Sequence, residues 1–179
     1  MSLHNKNILA FVDDYYEDLE LQYPLYRLRE AGAKVVIAGA EKGKTYKGKH
    51  GYPCQAEISF DSVKVNDYAA LLIPGGYAPD KLRRLPKVLD ITREFNKQKK
   101  PIAFICHAGW VPISAKIVKG IKATSFFAIK DDMINAGVNW VDEPVVVDSK
   151  NHFISSRTPD DLPVFCPAII DYLAKSKKK

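Results

Sequence analysis

Short, uniformly apolar runs alternate with longer amphipathic segments along the first 110 residues of the chain. Four such runs are rich in Ile, Val, Leu and Phe, and they lie at residues 8–12, 34–38, 69–73 and 102–105. They lack the in-and-out alternation of a strand that faces water on one side. The pattern therefore predicts parallel strands that are covered on both faces.

The segments between these runs predict helices. Residues 19–31 end at Gly32, and residues 86–99 end before Pro101, which are both common stop signals for a helix. Strands and helices that alternate in this way form a doubly wound sheet with right-handed crossovers. We therefore expect an α/β fold, a three-layer sandwich whose central sheet is mostly parallel.

The remainder of the chain continues this pattern less regularly. Residues 45–59, with two glycines and a proline, predict an excursion such as a hairpin off the main sheet. The other expected elements are a helix at 109–118, strands at 145–147 and 153–155 around a turn at 148–151, and a closing helix at 162–175.

Pro24 lies inside the first predicted helix. A proline there cannot donate a hydrogen bond to the carbonyl of Glu20, four residues earlier. A kink or a late helix start is expected. Helical phase therefore leaves open whether Glu17 or Glu20 faces inward.

Length and composition indicate one globular domain. The chain has 179 residues, of which 46% are hydrophobic and 27% charged. We expect a single domain over residues 1–179 with frayed ends at 1–6 and 175–179. No apolar run approaches the roughly 20 residues of a membrane helix. Because the N-terminus also lacks the pattern of a secretory signal, a cytoplasmic location is the default expectation.

The charge of the chain is concentrated at one end. The formal net charge is +6, but four lysines lie within the last five residues. Without them 23 basic residues face 21 acidic ones, which leaves +2 for the body of the protein. Basic residues and aromatics are not interleaved along any segment, so we do not expect nucleic acid as a partner.

Two other kinds of site are disfavoured by spacing. Residues 39–45 resemble a phosphate loop but have three residues between the glycines instead of four, and no helix pattern follows. The three cysteines, Cys54, Cys106 and Cys166, fit neither a disulfide framework nor a zinc site. We expect reduced thiols, with Cys54 and Cys166 structural, and neither a metal nor an organic cofactor is implied.

Cys106 has the setting of a nucleophile elbow. It follows the buried strand at 102–105 and precedes small residues, where a sharp strand-to-helix turn lifts one side chain above the sheet edge. A helix N-terminus and a nearby cation would lower the pKa of such a thiol. Gly75 and Gly76 follow the neighbouring strand at the same edge. The alternatives are a buried structural cysteine and a turn that needs glycine for its geometry alone.

His107 is the adjacent base, although neighbouring side chains rarely align for direct proton transfer. It would need an orienting carboxylate. An acidic segment after the first strand lies at the same sheet edge and contains Asp13, Asp14, Glu17, Asp18 and Glu20. An ionised carboxylate beside sulfur would oppose a thiolate. We therefore expect any acid that touches Cys106 to be neutral.

Several longer motifs extend these observations over residues 7–173. They are YEDLEL at 16–21 followed by Pro24, GKHGY at 48–52, PGGYAPD at 74–80, ICH at 105–107, DDMINAG at 131–137 and SSR at 155–157. Together they make the chain resemble the ThiJ/PfpI family, and most closely its branch of PfpI intracellular-protease-like proteins. This resemblance implies a flavodoxin-like fold of the class I glutamine-amidotransferase type.

The resemblance also implies roles for particular residues. Cys106 would be the nucleophile, Glu20 the acid that hydrogen-bonds its sulfur, and His107 the proton carrier. Asp80 would orient His107 from a neighbouring subunit of a homo-oligomer, which could be a dimer, trimer or hexamer. The oxyanion and substrate-binding groups would include Gly75, Gly76, Glu17 and the His107 backbone. The chain departs from the usual family pattern at Ala108-Gly109, at Phe126 in place of a tyrosine, and at Asp80 in place of a glutamate.

The function that the resemblance implies is a cofactor-independent cysteine enzyme of stress protection. It would be glyoxalase- or deglycase-like, with sulfur attack on reactive carbonyls. Peptide hydrolysis of the PfpI type is the first alternative. A non-catalytic oxidation sensor or chaperone-like protein is the second, since an exposed thiol of low pKa is also the first to be oxidised.

Overall fold

A computed structural model describes residues 2–175 and has a seven-stranded sheet at its centre. The order of its strands is β10-β11-β7-β6-β1-β2-β5. These strands are β1 (Asn7–Phe11), β2 (Lys34–Gly39), β5 (Ile58–Ser59), β6 (Ala70–Ile73), β7 (Ile102–Ile105), β10 (Val145–Asp148) and β11 (Phe153–Ser156). The four apolar runs of the sequence are β1, β2, β6 and β7.

The sheet is mostly parallel, as the sequence predicts. Every neighbouring pair is parallel except the pair of β10 with β11 at one edge. From β1 the chain runs first to β2 on one side and later to β6 on the other side. The carboxyl ends of β1 and β6 therefore flank a crevice, which is where doubly wound folds bind ligands.

The helices form two groups, one that joins α1 with α6 and another packed around α4. In the first group α1 packs against α6, and in the second α4 packs against both α2 and α3. The helices are α1 (Asp18–Glu30), α2 (Ala78–Leu82), α3 (Pro86–Lys97), α4 (Trp110–Ser114), α5 (Lys130–Asn135) and α6 (Leu162–Lys175). Helix α1 includes the buried Pro24 and begins at Asp18, so the expected late start is wrong.

The helix predicted at 109–118 is shorter than expected. A 3₁₀ turn (Cys106–Gly109) precedes α4, and the helix ends where Lys116 takes a left-handed conformation with φ 59°. The hairpin predicted within 45–59 is present as β3 (Thr45–Lys47) and β4 (Pro53–Gln55). Its last residues instead rejoin the main sheet as β5, parallel to β2. Another short parallel pair, β8 (Lys122–Ala123) and β9 (Asn139–Trp140), was not predicted.

The start of the chain differs from the expected frayed end. The Leu3 side chain is fully buried, and its backbone N–H donates to the carbonyl of Ala31 at 2.7 Å. Burying a leucine side chain contributes roughly 2 kcal/mol, enough to hold a short segment in place. Met1 and residues 176–179, where fraying was also expected, lie outside the described residues. No helix within residues 2–175 is both long and apolar enough to span a membrane.

Candidate active site

Cys106 occupies a sharp turn directly after β7. Its φ is 63°, in the left-handed region that costs a non-glycine residue roughly 1 kcal/mol or more. The Phe126 N–H donates to the Cys106 carbonyl at 3.2 Å and helps to hold the turn. The buried strand and the 3₁₀ turn thus aim this side chain into the crevice, in the geometry that the sequence pattern predicts.

His107 lies closer to the sulfur than expected. The Cys106 Sγ is 3.2 Å from His107 Nδ1, a contact that the sequence left open because adjacent side chains rarely align for proton transfer. The imidazole packs between Phe126 and Trp110, with ring centroids 4.9 and 5.2 Å away.

The protonation state of His107 follows from these surroundings. Burial of the ring lowers its pKa, and the positive charge of Lys49 lowers it further. The imidazole is therefore neutral at pH 7. A neutral ring can accept a proton from the thiol, but it does not supply the cation that would stabilise a resting thiolate.

Glu20 is a fully buried acid at the base of the site. Its Oε2 accepts the Gly75 N–H at 2.8 Å, while its Oε1 has no hydrogen-bond partner among residues 2–175. Burial, assisted by the charge of Glu17, raises the pKa of Glu20 to about 8. Glu20 is therefore mostly protonated at pH 7, as expected for an acid in this position.

The pKa of Cys106 is shifted in the opposite direction to the sequence expectation. The side chain is buried, with 8% of its surface exposed. Burial is the largest effect and raises the pKa of the thiol, and Glu20 raises it further once its own carboxyl is ionised, while the backbone N–H groups of His107 and Gly76 oppose the rise. The expected low pKa is therefore wrong, because the sulfur is desolvated and His107 carries no charge. The resting form is the thiol.

The glycine turn after β6 is required by close packing. A Cβ on Gly75 would lie 2.4 Å from Glu20 Oε2 and 2.7 Å from the Cys106 Cβ. Gly76 has φ 76°, and a Cβ there would lie 2.4 Å from the Glu17 backbone nitrogen. Both glycines therefore permit a contact among the site residues that any larger side chain would block.

A pocket of about 570 Å³ opens above the sulfur. The residues that line it are Glu17, Glu20, Lys49, His50, Gly76, Tyr77, Cys106, His107, Phe126, Thr158 and Pro159. Sequence reasoning did not propose Lys49, His50, Tyr77, Thr158 or Pro159 as site residues. Lys49 and His50 lie in the GKHGY motif at 48–52, so the signal for that side of the pocket was present in the sequence.

The side chains of the acidic segment have two roles: some line the pocket, and others accept hydrogen bonds from the backbone around it. Only Glu17 and Glu20 of the five candidate acids line the pocket. Asp14 accepts the backbone N–H of Lys47 at 3.0 Å, and Asp18 accepts those of His50 and Tyr52 at 2.8 and 2.9 Å. These two acids therefore fix the β3–β4 segment instead of acting on substrate.

Asp80 lies in α2, where its carboxylate pairs with Arg84. It does not line the pocket, and no carboxylate among residues 2–175 hydrogen-bonds the His107 ring. The orienting acid is thus not supplied within the described part of one chain. The expectation that a neighbouring subunit supplies it stays a prediction.

Three side chains beside the pocket have donor atoms close enough for a metal ion. One atom each from Glu17, Asp18 and His50 lies within 4.8 Å of the others. Both Asp18 oxygens already accept backbone N–H groups, and Glu17 pairs with Lys49 at 3.3 Å. The carboxylates are therefore engaged in holding the loop.

Two proteins of known sequence are similar to this chain over most of its length. Deglycase PfpI of Pyrococcus furiosus is 46% identical over 155 residues, which cover 87% of this chain and 92% of that protein. Putative cysteine protease YraA of Bacillus subtilis is 40% identical over 161 residues, which cover 90% and 94%.

A solved structure gives the same result for the fold. The crystal structure of a protein from Anabaena variabilis with DJ-1/ThiJ/PfpI-like and ferritin-like domains superposes with a TM-score of 0.91 at 36% identity. The match covers 97% of this chain and 52% of that one, so the chain spans about half of the two-domain protein. The model of the DJ-1/PfpI family matches residues 6–172. The chain therefore belongs to the DJ-1/PfpI family.

Proposed function

We propose that the protein is a cofactor-independent cysteine enzyme of stress protection that acts on reactive carbonyl compounds, in the manner of a glyoxalase or deglycase. The observation that carries this proposal is the 3.2 Å contact between Cys106 Sγ and His107 Nδ1 in an open pocket beside a buried acid. The name of the Pyrococcus furiosus relative, Deglycase PfpI, supports the same class of reaction.

The first step follows from the protonation states. The Cys106 sulfur attacks an aldehyde carbon while His107 Nδ1 takes the thiol proton, so that a reactive thiolate need exist only during attack. The carbonyl oxygen becomes an oxyanion near the backbone N–H groups of Gly76 and His107, then receives the proton from His107. The product is a hemithioacetal on Cys106. Preorganised N–H donors of this kind contribute roughly 3 kcal/mol to such steps.

A 2-oxoaldehyde can then be isomerised. For methylglyoxal, the hydrogen on the former aldehyde carbon leaves as a proton and returns to the neighbouring carbonyl carbon. The hydroxyl proton of the hemithioacetal moves to the oxygen of that carbonyl, which gives a thioester. Water hydrolyses the thioester, the carbon–sulfur bond breaks, and lactate leaves. Glu20, held neutral beside the sulfur, does not add a negative charge to these intermediates.

The first prediction concerns methylglyoxal turnover. The purified protein should convert methylglyoxal and water into lactate, and Cys106→Ala should lower the rate by at least about a thousandfold, because it removes the nucleophile. Lactate is measured by NMR or by an enzyme-coupled assay. Cys54→Ala, which removes a thiol outside the pocket, is the matched control and should retain turnover. Full activity of Cys106→Ala would refute the proposal.

Peptide hydrolysis is the second candidate, because the Bacillus subtilis relative is named a putative cysteine protease. It would use the same Cys106–His107 pair to attack a peptide carbonyl. A fluorogenic peptide assay tests it, and a kcat/KM for peptide hydrolysis that exceeds the kcat/KM for methylglyoxal would place peptidase chemistry first.

The raised pKa of Cys106 weighs against a role as an oxidation sensor, because that role favours an exposed thiol of low pKa.

A further inference from the structure

Lys49 places an ammonium group in the cysteine pocket, and the steps above do not use it. Its Nζ is 3.3 Å from Glu17 Oε2, and the side chain is 43% exposed. It is the only lysine or arginine among the described residues that line this pocket. The pocket therefore has one permanent cation near a sulfur that attacks carbonyl groups.

The loop that carries Lys49 is built around a buried carboxylate. The Lys49 N–H donates to the Tyr16 carbonyl at 2.8 Å, and Asp18 accepts the N–H groups of the two residues at 50 and 52. Gly48 packs so tightly there that a Cβ would lie 2.3 Å from Asp18 Oδ1. The backbone of Lys49 is thus fixed before any substrate binds, which reduces the entropy lost on binding.

The charge of Lys49 acts on the reacting groups. It lowers the pKa of His107, after the larger effect of burial, and also slightly lowers that of Glu20. Hydrogen bonding and charge from Glu17 raise the pKa of Lys49, so the ammonium stays charged at neutral pH. An ammonium has three N–H donors, and Glu17 holds one of them, which leaves donors for a ligand.

We propose that Lys49 binds a carboxylate of the substrate, so that the site prefers aldehydes that carry a carboxylate over uncharged aldehydes of similar size. This assignment rests on the proposed function, because it assumes that the aldehyde reacts with Cys106. A carboxylate is favoured over a phosphate because there is one ammonium, and the neighbouring Glu17 carboxylate would repel a second negative charge.

Two small aldehydes test the proposal directly. Glyoxylate and glycolaldehyde have the same two-carbon skeleton, and only glyoxylate carries a carboxylate. With either one, the Cys106 sulfur bonds to the aldehyde carbon and the thiol proton moves to the carbonyl oxygen. The adduct blocks alkylation by iodoacetamide. Peptide mass spectrometry therefore gives the aldehyde concentration that halves the alkylation rate of Cys106.

The ratio of the two concentrations is the readout. A substitution that changes the reactivity of the Cys106 thiol affects both aldehydes equally, so its effect cancels in the ratio measured for that variant. Lys49→Met should lower the preference for glyoxylate about tenfold, the usual loss for one charge-assisted hydrogen bond. Lys49→Arg should largely retain it. Lys47→Met, which removes an exposed lysine from β3 outside the pocket, should leave it unchanged.

Three results would overturn the proposal. In the first, glyoxylate does not protect Cys106 from alkylation. In the second, Lys49→Met prefers glyoxylate over glycolaldehyde as strongly as the wild type does. In the third, Lys49 strengthens protection by glycolaldehyde phosphate as much as, or more than, protection by glyoxylate. Because protection needs only binding at Cys106, the test is independent of turnover. A lysine-dependent preference without methylglyoxal turnover would refute the proposed function and support the carboxylate site. Methylglyoxal turnover without a lysine-dependent preference for glyoxylate would support the proposed function and refute the carboxylate site.

Discussion

Cys106, His107 and Glu20 act as one protonation system at the scale of single residues. At pH 7 the sulfur is a thiol, the imidazole is neutral and the carboxyl is protonated, because burial disfavours the charged form of each. The site therefore rests without a charge on any of the three. Under the proposed function, the nucleophile forms when His107 takes the proton during attack, so we expect the Sγ–Nδ1 contact to be essential.

Glu20 gives a pH-dependent prediction. Its pKa is 4.5 in the unfolded reference and about 8 in the fold, so the folded state binds the extra proton between these values. The contribution of Glu20 to the free energy of unfolding should therefore be largest below pH 4.5, and it is lost as the pH rises towards 8. The loss should be on the order of 2–4 kcal/mol.

Glu20→Gln supplies the comparison. A neutral amide can still accept the Gly75 N–H but does not titrate, so the variant should lose less stability than the wild type between pH 5 and 8. Urea unfolding at several pH values measures the difference. Parallel curves for the two proteins would contradict the protonated state assigned to Glu20.

The residues of the site could be predicted only in part. The elbow pattern pointed to Cys106, and the family resemblance added Glu20 and His107. The direction of the pKa shift at Cys106 could not be predicted, because it depends on how far the sulfur is buried and on the charge of its neighbours. Those quantities arise from packing between β6, β7 and α1, which no local pattern describes.

The elements place the site where the carboxyl ends of β1, β6 and β7 meet. The turn after β6 is the closest point of contact, since Gly75 separates Glu20 from Cys106. Strand β7 matches its predicted bounds because a continuous apolar run defines it, and helix α6 begins at its predicted residue, Leu162. The helix at 109–118 was overestimated because a left-handed residue, here Lys116, has no sequence signature when it is not glycine.

Gly75→Ala tests the close packing at this turn. Because the new methyl group would meet Glu20 and the Cys106 Cβ, the substitution should cost about 1–3 kcal/mol of stability and lower turnover. Chemical denaturation and methylglyoxal kinetics measure the two effects. Gly43→Ala is the control, since no atom lies within 4 Å of the added Cβ there and only the backbone strain at φ 82° remains. Equal stability losses for the two variants would contradict the packing argument.

At the scale of the whole molecule, residues 2–175 of one chain provide no carboxylate that hydrogen-bonds the His107 ring. The mostly parallel sheet and the doubly wound topology followed from sequence, because their strands lie in sequence-local units joined by helices. Assembly between chains is not encoded by such a pattern. The family resemblance supplies the prediction of a homo-oligomer in which Asp80 of one subunit acts at the His107 of another.

Mixing two inactive variants tests that assembly. Cys106→Ala and Asp80→Asn should each lower turnover, and mixed oligomers formed by co-expression should regain part of it, because some sites then contain an intact cysteine and a partner's intact Asp80. Light scattering gives the mass, and lactate formation gives the activity. A monomeric mass, or full activity of Asp80→Asn, would contradict the shared site.

The most direct test of the central chemistry is to find the covalent intermediate. The protein is quenched during methylglyoxal turnover, and its peptides are mapped by mass spectrometry. We predict a mass increase of one methylglyoxal on the peptide that contains Cys106, at a level that follows the turnover rate and is absent from Cys106→Ala. Sustained lactate formation with an unmodified Cys106 peptide at every time point would contradict attack by this sulfur.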